Sequence, residues 1–386
     1  MTRLQLLPDL SRMAAEQWDA LHDGSNPFVA HAFLAGLERT GCLRPQWGWT
    51  PRHAALFDGA TLIAAAPGYL KQNSHGEFVF DFAWANAYAQ LGRDYYPKWL
   101  LGVPYSPVPG PRLLARDDAS RRALGAALPA AARELGVSSV HLNFLPEAET
   151  SVLPTAWLAR HDVQFHWHDR GWDTFERFLD AMTHKRRKAI RQERARVQAA
   201  GYRFRCVHGE EASAADLDAM HDFYCLTFAE KGNSPALTRE FFAHLARSMP
   251  RDLVLIFADR DDPAGKPRTV AGALFLRGGE TLYGRYWGSE ETAPGLHFET
   301  CYYQGIEYCL RHGLRRFEPG AQGEHKLARG FLPVLTHSRH LLLEPRFAQA
   351  LAPWCAQERI AVARYCDLLS SHSPFRDEPA PAAPGS

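Results

Sequence analysis

The sequence predicts a mixed α/β (α+β) protein of two consecutive domains, each a mixed, mostly antiparallel sheet flanked by helices. At 386 residues the chain is longer than one hydrophobic core usually serves. Helix-period and strand-period stretches alternate along it, and Asp58-Gly59 and Gly278-Gly279 stand where neighbouring strands should turn back. The expected division is 1–168, 169–370 with a basic helix over 183–199, and a proline-rich, disordered tail over 371–386.

In the first domain, helices are expected over Ser11 to His22 and His31 to Thr40, the second ended by Gly41. His53 to Phe57 and Thr61 to Leu70 form a hairpin about Asp58-Gly59. Phe78 to Phe80 leads into a helix over Asp81 to Leu91. Pro97 to Pro111 carries five prolines, which argue against a central strand and for a shaped loop. A helix over Ala119 to Leu135, a strand over Ser138 to Leu145, a helix over Glu147 to Arg160 and a strand over Val163 to His168 complete it.

The second domain reads as a basic helix from Thr174 to Ala200, a strand Tyr202 to Val207, and helices Ala214 to Glu230 and Thr238 to Ser248. A three-strand meander follows over Leu253 to Asp259, Thr269 to Leu276 and Thr281 to Trp287. A long helix Leu296 to His312, strands Arg315 to Glu318 and Ser338 to Leu343, and a helix Arg346 to Leu369 close it. Two helices, three antiparallel strands, a helix and a returning strand make the order of the GNAT acyltransferase fold.

Composition excludes several classes. The 46% apolar and 23% charged content is that of a globular protein, and the longest apolar run, Leu253 to Ala258, cannot span a bilayer. No signal peptide is visible at the N-terminus, so a cytoplasmic location is expected. Seven cysteines without a C-x-x-C pair fit reduced thiols and no metal site. A net charge of +1 leaves polyanion binding to a local patch.

Acyl transfer to an amine needs a base, donors for the oxyanion and a site for the acyl carrier. The run Glu318 to Lys326 offers carboxylates Glu318 and Glu324, His325, and a Gly-containing loop with Gln322 and Lys326, followed by Arg329. A solvated turn would show the same residues. A second polar stretch joins Tyr69, Lys71, Ser74, His75 and Glu77 to Asp81, which would serve equally as a helix N-cap. A third is the basic run with Lys185, Arg186, Arg187 and Arg191, able to hold a donor's phosphates or to be a solvated face. Tyr283, Arg285 and Trp287 alternate, so all three should point to one face. Before the long helix, Glu290 and Glu291 would repel a pyrophosphate, which counts against conventional coenzyme A binding there. His161, His166 and His168 lack a metal-ligand spacing and read as structural.

Pro67 to Lys71 with Ser74 to Asp81, Tyr95 to Lys98, Pro104 to Leu113, and Phe317 to Lys326 together resemble the Fem-like peptidoglycan biosynthesis/recognition family, predicted N-acyltransferases of the GNAT superfamily. The resemblance reaches to about Ala350 and implies tandem GNAT-like domains with a cleft between them. Better-understood Fem relatives move an amino acid from aminoacyl-tRNA to the amine of a peptidoglycan precursor. The resulting expectation is an N-acyl or aminoacyl transferase with acyl-CoA or aminoacyl-tRNA as donor and no metal. Glu318, Glu324, His325 or Glu77 would be catalytic. Tyr69, Lys71, Ser74, His75, Asp81, Arg285, Trp287, Gln322, Lys326 and Arg329 would bind a small-molecule or cell-wall precursor substrate, and tRNA is a possible partner. The alternatives are a non-catalytic protein that recognises peptidoglycan fragments or nucleotide-linked precursors, and an RNA-binding module on the basic helix.

Overall fold

The computed structural model describes residues 2–321 and 323–376. Its first half runs β1 (Thr2–Leu7), α1 (Ala15–Asp19), α2 (His31–Arg39), β2 (Trp49–Pro51), β3 (His53–Asp58), β4 (Thr61–Ala66), β5 (Gly68–Lys71), α3 (Phe82–Gln90), β6 (Lys98–Leu101), β7 (Leu114–Ala115), α4 (Asp118–Glu134), β8 (Ser139–Leu145), α5 (Glu147–Thr150) and β9 (Leu158–His168). The second half runs α6 (Phe175–Ala181), α7 (His184–Ala199), β10 (Arg203–His208), α8 (Ala214–Glu230), α9 (Arg239–Ser248), β11 (Leu253–Asp261), β12 (Pro267–Gly278) and β13 (Thr281–Ser289). It continues with α10 (Leu296–Phe298), a π-helical stretch Glu299–Tyr303, α11 (Gln304–His312), β14 (Arg316–Glu318), β15 (Leu332–Leu342) and α12 (Pro345–Ser370).

β1, β3, β4 and β7 form a small antiparallel sheet, and eleven strands form one continuous sheet in the order β10-β11-β12-β13-β14-β9-β15-β8-β6-β5-β2. Its neighbours are antiparallel except for β13/β14 and β6/β8. Parallel neighbours need a crossover, and each of these pairs has a helical one, α4 for β6/β8 and α10 with α11 for β13/β14. The two halves therefore repeat one unit, the tandem GNAT-like arrangement that the sequence predicts.

The halves interlock. β15 lies between β9 and β8, and α12 packs across β9 and β15. Where the length of the chain suggests two separate cores, the largest apolar cluster joins Trp18, Phe28 and Phe33 of the first half to Phe241, Leu274 and Tyr283 of the second.

Several local expectations are corrected, mostly where prolines act. The Pro97 to Pro111 segment contains a central strand, β6, because Pro97 and Pro104 flank it and leave its own amides free to pair. The hairpin's second strand is two, β4 and β5, which change sheets at Pro67. The helix expected over Glu147 to Arg160 is four residues long; Pro154 lies beyond it and β9 begins at Leu158. The basic helix breaks at Met182 and Thr183, where Met182 bridges Phe375 and the Thr183 amide donates to the Pro374 carbonyl. Phe375 is buried against Trp172 and Phe178, so residues 371–376 of the expected tail are packed, while 377–386 lie outside the described residues.

α8 sits unusually close to the sheet because Gly272 and Gly288 pair opposite each other beneath it. A Cβ on Gly288 would lie 1.8 Å from the Phe223 carbonyl oxygen, a backbone atom that can yield only if the whole helix shifts. Gly288→Ala is expected to cost about 1–3 kcal/mol by overpacking, read from the urea midpoint at unchanged m-value.

Candidate functional site

β13 and β14 pair over three residues only, Thr281↔Arg316, Leu282↔Phe317 and Tyr283↔Glu318. Pro319 follows, without an N–H to continue the ladder, and β14 ends while β13 runs on to Ser289. The β6/β8 pair parts likewise after Leu101 and Leu142. There the chain fills its own gap: the Gly110 amide donates to the Phe144 carbonyl (2.9 Å) and Arg112 Nε to the Asn143 carbonyl (2.8 Å). Arg112 is wholly buried, and its guanidinium also donates to the carbonyls of Val108 and Gly110.

At β13/β14 two clefts adjoin the parting strands. One, of about 390 Å³, is walled by Gly284, Arg285, Trp287, Pro319 and Gly320, with Phe78, Phe80, Tyr224, Phe228, Cys301 and Tyr302 around them. The other, of about 430 Å³, is lined by Tyr283, Glu318, His166, His168, Arg316 and His337. Tyr283 and Glu318 face one cleft, and the next residue of each strand lines the other.

Local irregularities shape the first cleft. A β-bulge between Leu274 and Phe275 sets Gly284 and Arg285 against a single partner residue. The alternation expected for Tyr283, Arg285 and Trp287 is thereby broken: Tyr283 and Tyr286 pack on one core cluster and Trp287 on another. Arg285 donates to the Tyr105 carbonyl (2.8 Å), which ties β13 to the first half. The π-helical stretch, where an uninterrupted helix is expected, carries Cys301 and Tyr302 into the cleft wall. Phe78, with φ 62, holds the left-handed backbone that a bulky residue avoids.

Glu318 is 5% exposed, and its Oε2 has no hydrogen-bond partner among the described residues. Oε1 lies 3.2 Å from Arg316 Nε and 4.0 Å from His166 Nδ1. Burial pushes its carboxyl up to about 7, outweighing the charges of Arg316, Arg285 and Arg112. A carboxylate poised near neutrality on a cleft wall is suited to move a proton at physiological pH.

The second polar stretch does come together, but inside the first half. Lys98 Nζ lies 2.6 Å from Glu77 Oε1 and 2.5 Å from Asp81 Oδ2, and donates to Ser74 Oγ (2.9 Å). Tyr95 also donates to Asp81 (2.5 Å), and Tyr95 OH is 3.3 Å from His141 Nε2. Lys98, Ser74, Glu77 and Asp81 are all buried, and none of them lines either cleft. Asp81 precedes α3 without making a side-chain cap. Burial raises the Glu77 carboxyl despite Lys98, whereas at Asp81 the charge and hydrogen bonds of Lys98 overcome burial and hold it low. Lys71 donates to the His75 carbonyl (3.0 Å) above the Trp49 ring, and burial brings its amine down to about 7. Tyr69, fully buried against Trp49 and His53, has no access to a substrate, and His75 is exposed beside Phe82.

The residues after Glu318 separate. Glu324 is exposed and accepts from Tyr365 of α12, and His325 is exposed behind Tyr302, its Nε2 2.9 Å from the Tyr302 hydroxyl. Lys326 is buried and donates to the Gly320 carbonyl (2.7 Å), its amine lowered by burial to about 8. Arg329 bonds Glu193 (2.7 Å) and the His325 carbonyl (2.8 Å), outside both clefts. Gln322 lies outside the described residues. On α7, Arg187 and Arg191 are paired with Asp180 and Glu176, and Arg194 with Glu299 and Glu307; Lys185 and Arg186 form no ion pair among the described residues. Glu290 and Glu291 are paired in turn with Arg268 and Arg260, which blunts the repulsion expected of that loop. Among the described residues no three of His, Cys, Asp and Glu group as metal ligands, and no helix is long and apolar enough to cross a membrane.

Sequence reasoning missed Lys98, His141, Arg112 and Arg316, and set His166 aside as structural. Lys98 carried a signal, a lone cation opening the apolar run Trp99 to Leu101. His166 and Arg316 carried none, because β9 meets β14 only through the strand exchange.

The sequence model of the FemAB-like family, described as peptidoglycan biosynthesis/recognition, matches residues 9–377. Among solved structures, FemX is similar with a TM-score of 0.54 at 11% identity, over 91% of this chain and 100% of that one. The C-terminal DUF2156 domain of a candidate lysylphosphatidylglycerol synthetase from Agrobacterium fabrum gives 0.50 at 11% identity, over 89% and 95%. A conserved protein of unknown function from Bacteroides thetaiotaomicron gives 0.50 at 10%, over 89% and 100%. These likenesses are of fold. No curated protein matches the chain.

Removing the Lys98 cation would strand two buried carboxyl groups. Lys98→Met is expected to lose about 3–5 kcal/mol of stability at pH 7, and the triple variant with Glu77→Gln and Asp81→Asn to recover part of it, as measured by chemical denaturation.

Proposed function

The chain belongs to the FemAB-like family, and on that premise we propose that it is an N-acyl or aminoacyl transferase whose reaction takes place where β13 and β14 part. The observation that carries this is Glu318, a buried carboxyl with an unpartnered oxygen at the strand end between two clefts. An acceptor ammonium gives its proton to Glu318, and the freed amine attacks the acyl carbonyl. The N–C bond forms as the bond from the acyl carbon to its carrier breaks; the carrier leaves with the electron pair of that bond and a proton from Tyr302, and the second proton of the attacking nitrogen returns to the Tyr302 oxygen.

The aromatic-walled cleft is the place for the acyl donor. Among the described residues the edge of β13 toward β14 has no strand partner beyond Tyr283, so its amides are the local source of donors for an extended acyl carrier and for the developing oxyanion. Tyr302 lines that cleft, and its hydroxyl, hydrogen-bonded to His325, is the proton donor for the leaving group; burial raises its pKa, so it holds its proton at neutral pH. Lys185 and Arg186 on α7 remain for a phosphate-bearing donor, either acyl-CoA or aminoacyl-tRNA. A nucleotide-linked peptidoglycan precursor or a related amine is the acceptor class that the family suggests.

The test is turnover with acyl-CoA and aminoacyl-tRNA donors against amine acceptors, products read by mass spectrometry. Glu318→Gln is expected to lower kcat/KM by roughly 10²–10⁴ in a protein of unchanged circular dichroism. Because the base must be ionised, wild-type kcat/KM should climb with pH through about 7, the value to which burial lifts Glu318, and the variant should lose that limb. Binding without product from any donor would instead indicate a recognition protein.

A further inference from the structure

We propose that Glu318 and His166 form a binding site for a primary ammonium group, and that the molecule carrying it is zwitterionic, with its anionic end against Arg316. The acceptor role of this molecule rests on the transferase reading above; the binding site itself does not. The argument begins with a proton. Gln164 Nε2 donates to the Pro107 carbonyl (2.8 Å), a group that can only accept, so the amide orientation is fixed and Gln164 Oε1 faces His166 Nε2 at 3.2 Å. Nε2 therefore carries the imidazole proton and Nδ1 a lone pair. Burial, helped by Arg316 and His168, keeps His166 from protonating further.

That bare Nδ1 points at a second acceptor, Glu318 Oε1, 4.0 Å away, while Glu318 Oε2 has no partner among the described residues. Both side chains are more than nine-tenths buried, and both line the second cleft. Arg316, Tyr283 and His168 also line this cleft, yet among the described residues no donor reaches Glu318 Oε2. Unsatisfied buried acceptors are costly, so the fitting ligand brings several N–H bonds and no lone pair of its own. A primary ammonium does this; a hydroxyl, with one donor and two lone pairs, does not. Arg316 Nε is used on Glu318 and Thr281, but its side chain remains 44% exposed at the cleft, beside His168. A carboxylate or phosphate on the same molecule would complete the pairing.

The experiment is thermal shift of the full chain with 4-aminobutyrate, phosphoethanolamine, butylamine and butyrate as probes. At least one zwitterion should raise Tm more than butylamine does, and butyrate should have no effect; the better zwitterion identifies the anion. His166→Phe should abolish the shift, and Arg316→Met should reduce the zwitterion to the level of butylamine. Should His166→Phe fail to fold, Gln164→Leu frees the imidazole to take the other tautomer and should weaken the same shift. A response to butyrate equal to that of 4-aminobutyrate, no response to either zwitterion, or unchanged binding in a folded His166 or Gln164 variant would overturn the site. No acyl donor is needed, so absence of turnover with intact amine binding would count against the transferase reading alone.

Discussion

The shortness of β14 is the constraint on which the rest depends. A sheet keeps its backbone groups satisfied by continuing its ladders, and β14 stops after three pairs because the residue after Glu318 is a proline. The proposed site lies around the resulting interruption. Among the described residues an unpaired stretch of β13 borders the aromatic cleft, a carboxyl group is buried where β14 ends, and Tyr283 and Glu318 face one cavity while the residue after each lines the other. A longer β14 would close the gap with main-chain hydrogen bonds and leave Glu318 as one more buried side chain in a central sheet.

The first half shows what closure looks like. Its parallel pair parts in the same way, yet the proline-rich segment returns and gives Gly110 and Arg112 to the exposed carbonyls of β8. Polar groups that would face a ligand are spent on the chain itself. The Lys98 cluster is buried too, with Lys98 set between Glu77 and Asp81 and away from both clefts. The repeated unit thus has one open and one sealed copy. The sealed copy holds the open one in place: Tyr105 accepts from Arg285, and Phe78 and Phe80 wall the aromatic cleft from across the boundary.

Much of the fold was legible in the sequence, least so where distant segments meet. α8, α9 and the β11 to β13 meander stand within about two residues of their expected bounds, because their signals are local: apolar period, capping residues and the Gly278-Gly279 turn. The prolines misled, since whether Pro97 breaks a strand or merely borders it depends on which strands flank it. Glu318 was legible as a carboxylate ending a strand before Pro-Gly. Its partners were not, because His166 reaches it only through the pairing of β9 with β14. Tyr283 and Trp287 were expected on one face and lie on two, because a single bulge between them inverts the parity. Glu324 and His325, close to Glu318 in sequence, turn outward on the short helical turn Glu324–Arg329.

The placement of β15 between β8 and β9 has a consequence for how the protein is made. A ribosome delivers β8 and β9 more than 160 residues before the strand that separates them, residues 332–342 against an end at 168. Until then two edges stand open in a chain already rich in apolar surface, the condition in which nascent sheets pair with the wrong neighbour. Assembly of the first half must wait for β15, and that exposure during synthesis follows from the order of the strands rather than from any weakness in the finished fold.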